Sequence, residues 1–193
     1  MIEWLDQLDK AIFLILNSLY SDVSDKVWLL ITNIPTWIPL YVLIFFLFIK
    51  VFKKDSFYLI LGLLLVVLVC DQFTSGFMKP FFERPRPCHD AEIGHLVHIA
   101  NKCGGQFGFA SGHSANSFGI AMFVWMVFRS YWKWTWLIFV WAAVVAYSRI
   151  AIGVHYPADI LVGGLLGIFF GFLIFKLTSE LFFKIKKATF IKN

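Results

Sequence analysis

Five apolar runs, at about 27–49, 57–77, 114–128, 134–147 and 158–177, constrain this chain more than any other feature. A helix needs ~20 apolar residues to cross a ~30 Å hydrocarbon core, and these runs approach that length. Within a bilayer each segment must satisfy its own backbone N–H and C=O groups, and short charged connectors between the runs fit helices better than barrel strands. The expected fold is all-α, a polytopic membrane helical bundle with five transmembrane helices plus an N-terminal amphipathic or sixth helix. Composition agrees: the chain is 60% hydrophobic and 15% charged over 193 residues, against an apolar share of ~45–50% in soluble domains. One integral membrane domain, 1–193, accounts for the whole length.

Residues 1–20 form the additional helix. Trp4, Leu5, Leu8, Ile12, Ile15, Leu16 and Leu19 recur at spacings of three and four, with Glu3, Asp6, Gln7, Asp9 and Lys10 opposite. The fully apolar part, 11–16, is too short to span, so this helix either lies in the interface or tilts into the bundle. The acidic start and the lack of a small-residue cleavage pattern argue against a cleaved signal peptide.

The net charge of +5 does not imply nucleic acid as a partner, because the basic residues gather at the ends of apolar runs. Lys50, Lys53 and Lys54 form one group, Arg129 and Lys133 a second, and Lys184, Lys186, Lys187 and Lys192 a third. Such clusters face the cytoplasm, so the connectors 76–112 and 148–157 both fall outside the inner membrane, and 76–112 becomes an extracytoplasmic active-site loop. Two further features bear on packing. Asn33, Pro35, Thr36 and Pro39 predict a bend in the first run, and Gly163, Gly167 and Gly171 give the last run a smooth face for another helix.

Polar residues at the outer ends of spans are costly in lipid and mark a site by default. Asp71, Gln72, Thr74 and Ser75 lead into Lys79, Arg84 and Arg86; Ser111, Gly112 and His113 open a helix; Arg149, His155 and Asp159 lie between the last two runs. Several cations beside a helix N-terminus and a Ser-Gly pair suit a phosphoryl group. Asp159, four residues after His155 with Pro157 at the first helical position, can fix the tautomer of the ring. That makes His155 a nucleophile or base and leaves His113, from another helix, to protonate a leaving oxygen. A lone histidine at a helix end is more often a cap than a catalyst; the aspartate and the cations shift the balance here.

These residues resemble the three motifs of the phosphatidic acid phosphatase type 2 superfamily: Lys79-x6-Arg86-Pro87, then Ala110-Ser111-Gly112-His113, then Ser148-Arg149-x5-His155-x3-Asp159. The resemblance covers about 55–177 and departs at Ala110, where the family usually has proline; a small change in loop geometry is expected, with no chemistry lost. It implies metal-independent phosphomonoester or diphosphate hydrolysis through a phosphohistidine, with no cofactor. His155 attacks, Asp159 orients it, and His113 protonates the leaving group. Lys79, Arg86, Arg149, Ser111 and the Gly112 amide hold the phosphoryl oxygens.

The implied substrate is a membrane lipid phosphate or diphosphate: undecaprenyl diphosphate, phosphatidylglycerol phosphate, phosphatidic acid or lipid A phosphate. The motifs read only phosphate, and an outward site suits undecaprenyl diphosphate slightly better. Two alternatives remain at this point, a vanadium-dependent haloperoxidase-like enzyme and a non-catalytic anion-binding or transport protein. In the outer loop, Cys88 and Cys103 both lie outside the membrane, where a disulfide between them is open to them but not decided by the sequence, whereas a zinc site from Cys88, His89, His95, His98 and Cys103 matches no common spacing. Asp90 and Glu92 read as solvated charges, Asp71 as structural support and Tyr156 as an interfacial aromatic.

Overall fold

The computed structural model describes residues 3–191, with side chains through 181. The most enclosed helix is α6 (Gly112–Phe128), which packs against α4 (Ser56–Asp71), α7 (Ile138–Ala151) and α8 (Pro157–Ile191). Its Phe123, Val124 and Phe128 share a core with Leu63, Val66 and Cys70 of α4, Ile174 of α8, and Ile44 and Phe48 of α3 (Ile38–Phe52). Among the described residues, three helical stretches are long and apolar enough to cross a membrane: Ile34–Phe82, Lys133–Ala151 and Pro157–Leu181. The first is a hairpin. It turns back at Lys53 (φ 53°), so that α3 and α4 pack side by side.

Proline chemistry explains the break in the first apolar run. Helix α2 (Asp22–Thr32) stops at Asn33, and a 3-10 turn over Ile34–Trp37 precedes α3. Pro35 has no N–H to offer the preceding turn. Side chains take over: Trp37 Nε1 donates to the Ile31 carbonyl (2.7 Å) and Thr36 Oγ1 to that of Leu30 (2.6 Å).

The glycine face of α8 lies directly on α6. A Cβ on Gly163 would stand 2.5 Å from the Ser111 carbonyl oxygen and one on Gly171 2.5 Å from that of Gly119; one on Gly167 would collide with the Ala115 carbonyl. The opposite stripe, Leu161, Leu165, Phe169, Leu173 and Leu177, is exposed and forms a lipid-facing surface. Two bonds tie the helix starts together: the Ser111 N–H donates to the Asp159 carbonyl (3.0 Å) and Ser114 Oγ to that of Ile160 (2.6 Å). Close packing thereby places the second and third polar clusters at one end of the bundle.

The exposed basic connectors share one end of the bundle, since the Phe52 and Tyr131 rings meet there (5.6 Å between centroids). Lys192 lies outside the described residues, as do the side chains of Lys184, Lys186 and Lys187. Helix α1 (Glu3–Asn17) is amphipathic in an inverted sense. Its Asp9, Lys10, Phe13 and Asn17 are buried against protein, while Trp4, Leu8, Ile12 and Ile15 are exposed.

Candidate active site

At the polar end of α4 the chain widens into a π-helical segment, Gln72–Met78, before the short helix α5 (Lys79–Phe82). Such segments re-aim the next turn of helix, and this one presents Lys79, whose Nζ donates to Ser75 Oγ (3.3 Å). The loop beyond is held by antiparallel contacts: the Arg86 N–H donates to the Gln106 carbonyl and the Gly108 N–H to that of Arg84, both at 2.9 Å. A Cys88–Cys103 disulfide closes it, with Cα atoms 6.1 Å apart. The two sulfurs are bonded to each other, so a zinc site would have to break that bond.

Helix α6 begins at the Ser-Gly pair. Ser111 is its N-cap and accepts from the Ser114 N–H (3.5 Å); its own N–H is already given to Asp159. The N–H groups at this helix start that have neither a capping side chain nor an intrahelical partner are therefore those of Gly112 and His113. From α7, the Arg149 carbonyl accepts from the N–H groups of Val154 (3.1 Å) and His155 (3.2 Å), which curls the chain so that α8 starts at Pro157.

The dyad sits at that start. Asp159 Oδ2 accepts from the Tyr156 N–H (3.0 Å) and from His155 Nδ1 (3.2 Å). A carboxylate can only accept from Nδ1, so the network assigns the proton there and leaves the Nε2 lone pair free. Gly108 makes this close fit possible: a Cβ on it would lie 3.1 Å from Asp159 Oδ2 and 3.5 Å from His155 Nδ1. Burial, then the charges of Arg86, Arg149 and Lys79, push the His155 pKa well below its ordinary value, which keeps the ring neutral. The same three cations and His155 lie within electrostatic reach of His113.

The cations divide into two kinds. Among the described residues, Lys79, Arg86 and Arg149 have no carboxylate within ion-pair distance. Arg86 Nη1 donates only to the Val154 carbonyl (3.3 Å) and Arg149 Nη1 to Thr32 Oγ1 (2.6 Å), while the Nε of each is buried without a partner. Buried donors left unpaired are the condition for binding an anion. Arg84 is the opposite case. It meets Asp159 Oδ1 (3.0 Å), Asp9 Oδ2 (2.8 Å) and Asp6 Oδ1 (2.9 Å), and its guanidinium lies 4.1 Å over the Tyr156 ring. Sequence reasoning grouped Arg84 with the free cations; its charge is in fact spent on carboxylates.

Two other expectations are corrected here. Tyr156 is fully buried rather than interfacial, because its hydroxyl donates to Asp90 Oδ2 (2.8 Å) beneath Arg84 and Phe13. Asp90 is not a solvated charge. Burial alone would raise its pKa, but hydrogen bonds from the Glu92 N–H, the Tyr156 hydroxyl and Lys10 hold its carboxyl below the usual range. Lys10 also reaches Asp6 (3.1 Å) and Glu92 (2.8 Å), and the Ala158 N–H donates to Asp9 Oδ1 (2.9 Å). Asp6, Asp9 and Gly108 were missed as site components. The available signal was a pair of acids three apart on one helical face, with no cation of matching number nearby in sequence.

The geometry thus brings the eight candidate catalytic and phosphate-binding residues of the three motifs to one end of the bundle. Comparison with known proteins gives the arrangement its family: the PAP2 superfamily pattern matches residues 57–183. The chain belongs to the PAP2 superfamily. It is 37% identical to the lipid A 4'-phosphatase of Porphyromonas gingivalis over 91% of this chain and 75% of that one. It is 33% identical to the lipid A 4'-phosphatase of Bacteroides thetaiotaomicron over 98% and 85%. The crystal structure of a transmembrane PAP2-type phosphatidylglycerolphosphate phosphatase from Bacillus subtilis superposes with TM-score 0.73 at 24% identity, covering 92% of this chain and 88% of that one. As a PAP2 member the chain is an integral membrane lipid phosphatase, the class that the three motifs implied.

Proposed function

We propose that the protein hydrolyses a lipid phosphate through a phosphohistidine, with its site on the extracytoplasmic face of the inner membrane and lipid A phosphate as the first substrate to test. One observation carries the reading. Three unneutralised cations surround a neutral, buried His155 whose Nδ1 is tied to Asp159. An anion with three equatorial oxygens answers all of them at once.

In the first step His155 Nε2 attacks phosphorus in line, a P–N bond forms and the P–O bond to the lipid breaks. His113 gives its proton to the leaving oxygen, and Asp159 stabilises the imidazolium. Lys79, Arg86, Arg149, Ser111 and the Gly112 N–H hold the equatorial oxygens, where charge is spread in the transition state. In the second step water attacks phosphorus, His113 takes its proton, and the P–N bond breaks to release phosphate. The cations supply the charge stabilisation that a metal provides in other phosphatases, so no metal is required.

The outer location rests on the basic connectors gathering at the end away from the motifs. The two lipid A 4'-phosphatase relatives, which match nearly the whole chain, move lipid A phosphate ahead of undecaprenyl diphosphate. Purified protein in detergent should release phosphate from lipid A in the presence of EDTA, and His155→Ala should not. Loss of activity with chelator, restored by adding back a divalent ion, would remove the metal-independent mechanism; full activity of His155→Ala would remove the nucleophile.

A further inference from the structure

An apolar cavity of about 300 Å³ lies between α3, α4, α6 and α7, with His113 in its lining. Val67, Tyr41 and Trp141 line it, and so does Thr32, the hydrogen-bond partner of Arg149. It therefore borders the site at His113 and, through Thr32, lies one hydrogen bond away from Arg149. Its walls are almost wholly apolar, yet two polar atoms are buried there without a partner, Asn116 Oδ1 and Trp141 Nε1. The Trp141 ring is held edge-on by Trp37 (5.7 Å) and Tyr41 (6.3 Å), so the indole that carries this unpartnered N–H is fixed in place.

We infer that this cavity binds the acylated part of the leaving group, with Asn116 and Trp141 hydrogen-bonding to the ester, amide or hydroxyl that joins an acyl chain to the phosphate-bearing unit. The inference rests on the in-line reaction proposed above. An in-line displacement puts the leaving oxygen opposite His155, on the side of its proton donor, so whatever that oxygen carries extends past His113. Asn116 follows His113 by three residues on α6, about 4.5 Å further along the axis. That is the depth of atoms a few bonds beyond the leaving oxygen, where an acyl linkage lies in an acylated glycerol or sugar phosphate. The amide can turn either end to its ligand, whereas the indole N–H only donates, which suits a carbonyl. A polyprenyl monophosphate offers nothing to either group, since it is pure hydrocarbon beyond its phosphate, and a polyprenyl diphosphate would bring its second, charged phosphate against an almost wholly apolar wall with no lysine or arginine among the described residues that line it. A site with buried polar groups rejects a ligand that leaves them unpaired. The predicted substrate class is thus an acylated lipid phosphate rather than a polyprenyl one.

The test uses full-length protein in mixed micelles and three substrates: a 4-phosphoglucosamine with an ester-linked acyl chain on the neighbouring oxygen, its ether-linked counterpart, and undecaprenyl diphosphate. The ester and ether differ by one carbonyl oxygen. Wild-type protein should prefer ester over ether about tenfold in kcat/KM, the scale of one neutral hydrogen bond. Trp141→Phe and Asn116→Leu should each reduce that preference, chiefly through KM, and thermal unfolding midpoints would identify a variant that has not folded. A wild-type ratio near one, or equal losses on ester and ether in both variants, overturns the subsite. Phosphate release from undecaprenyl diphosphate but from neither sugar overturns the subsite and leaves the phosphatase standing. Release from none of the three overturns both.

Discussion

Arg84→Met tests whether the dyad depends on a residue outside the phosphate cradle. Methionine keeps most of the length and loses the charge, so Asp6, Asp9 and Asp159 lose the guanidinium they share at 2.8–3.0 Å. Arg84 is only 8% exposed and Asp159 0%, so solvent cannot replace it. Breaking such a buried network from one side costs about 3–5 kcal/mol of stability. The part that reaches catalysis is the bond to Asp159 Oδ1, since it fixes the carboxylate that holds His155. A charged hydrogen bond is worth about 1.5–3 kcal/mol, which converts to a fall in kcat of roughly 10- to 150-fold. KM should change little, because Lys79, Arg86 and Arg149 are untouched. Arg84→Lys, which keeps the charge without the fork, should fall between. The assay is initial phosphate release against lipid mole fraction, with thermal unfolding beside it. A rise in KM at constant kcat would refute the reasoning and make Arg84 a phosphate ligand; unchanged kinetics would show that Asp159 needs no second anchor.

The depressed pKa of His155 places its contribution to the acid limb of kcat/KM below pH 6.5, because only the neutral ring attacks. Arg86→Gln removes one of the charges responsible, so the limb should move up in pH while KM rises; substrate ionisation is common to both proteins and cancels. Reduction, or Cys88→Ser with Cys103→Ser, should lower the unfolding midpoint, with a loss of up to about 3 kcal/mol for closing a loop of this length. Gly167→Leu should prevent folding and Gly167→Ala should reduce the yield of folded protein, as a Cβ there meets the Ala115 carbonyl; normal behaviour of the leucine variant would mean that α6 and α8 do not pack as described.

The bundle and the dyad were legible in sequence for physical reasons. Apolar length, prolines and a glycine stripe are local signals that lipid enforces, and the His155–Asp159 spacing is fixed by one helical turn after Pro157. Arg84 was not legible because two arginines two residues apart look equivalent until the fold decides which one meets carboxylates. Tyr156 and Asp90 failed similarly. An aromatic and an acid at a membrane boundary default to interface and solvent, and only the arrival of α1 buries both. The direction of α1 could not be read either: its apolar side resembles a core-facing stripe, but next to lipid the charged side is the one that needs protein.

Helix α1 lies outside the matched region 57–183, yet Asp9 touches the site twice, accepting from the Ala158 N–H with one oxygen and pairing with Arg84 through the other. These contacts do different things. The first satisfies a donor in the opening turn of α8, an effect of about 1 kcal/mol. The second offsets part of the Arg84 charge, which would otherwise act on Asp159 with less opposition. Asp9→Asn retains an acceptor for Ala158 and removes the charge, whereas Asp9→Ala removes both. If α1 merely caps α8, the asparagine variant should match wild type in kcat and the alanine variant should lose stability alone. If α1 tunes the dyad through Arg84, both variants should lose kcat, with stability falling further in alanine. The inverted amphipathicity of α1 favours the second outcome, since a helix recruited only as a cap has no need to bring Asp6 and Lys10 into the same buried network.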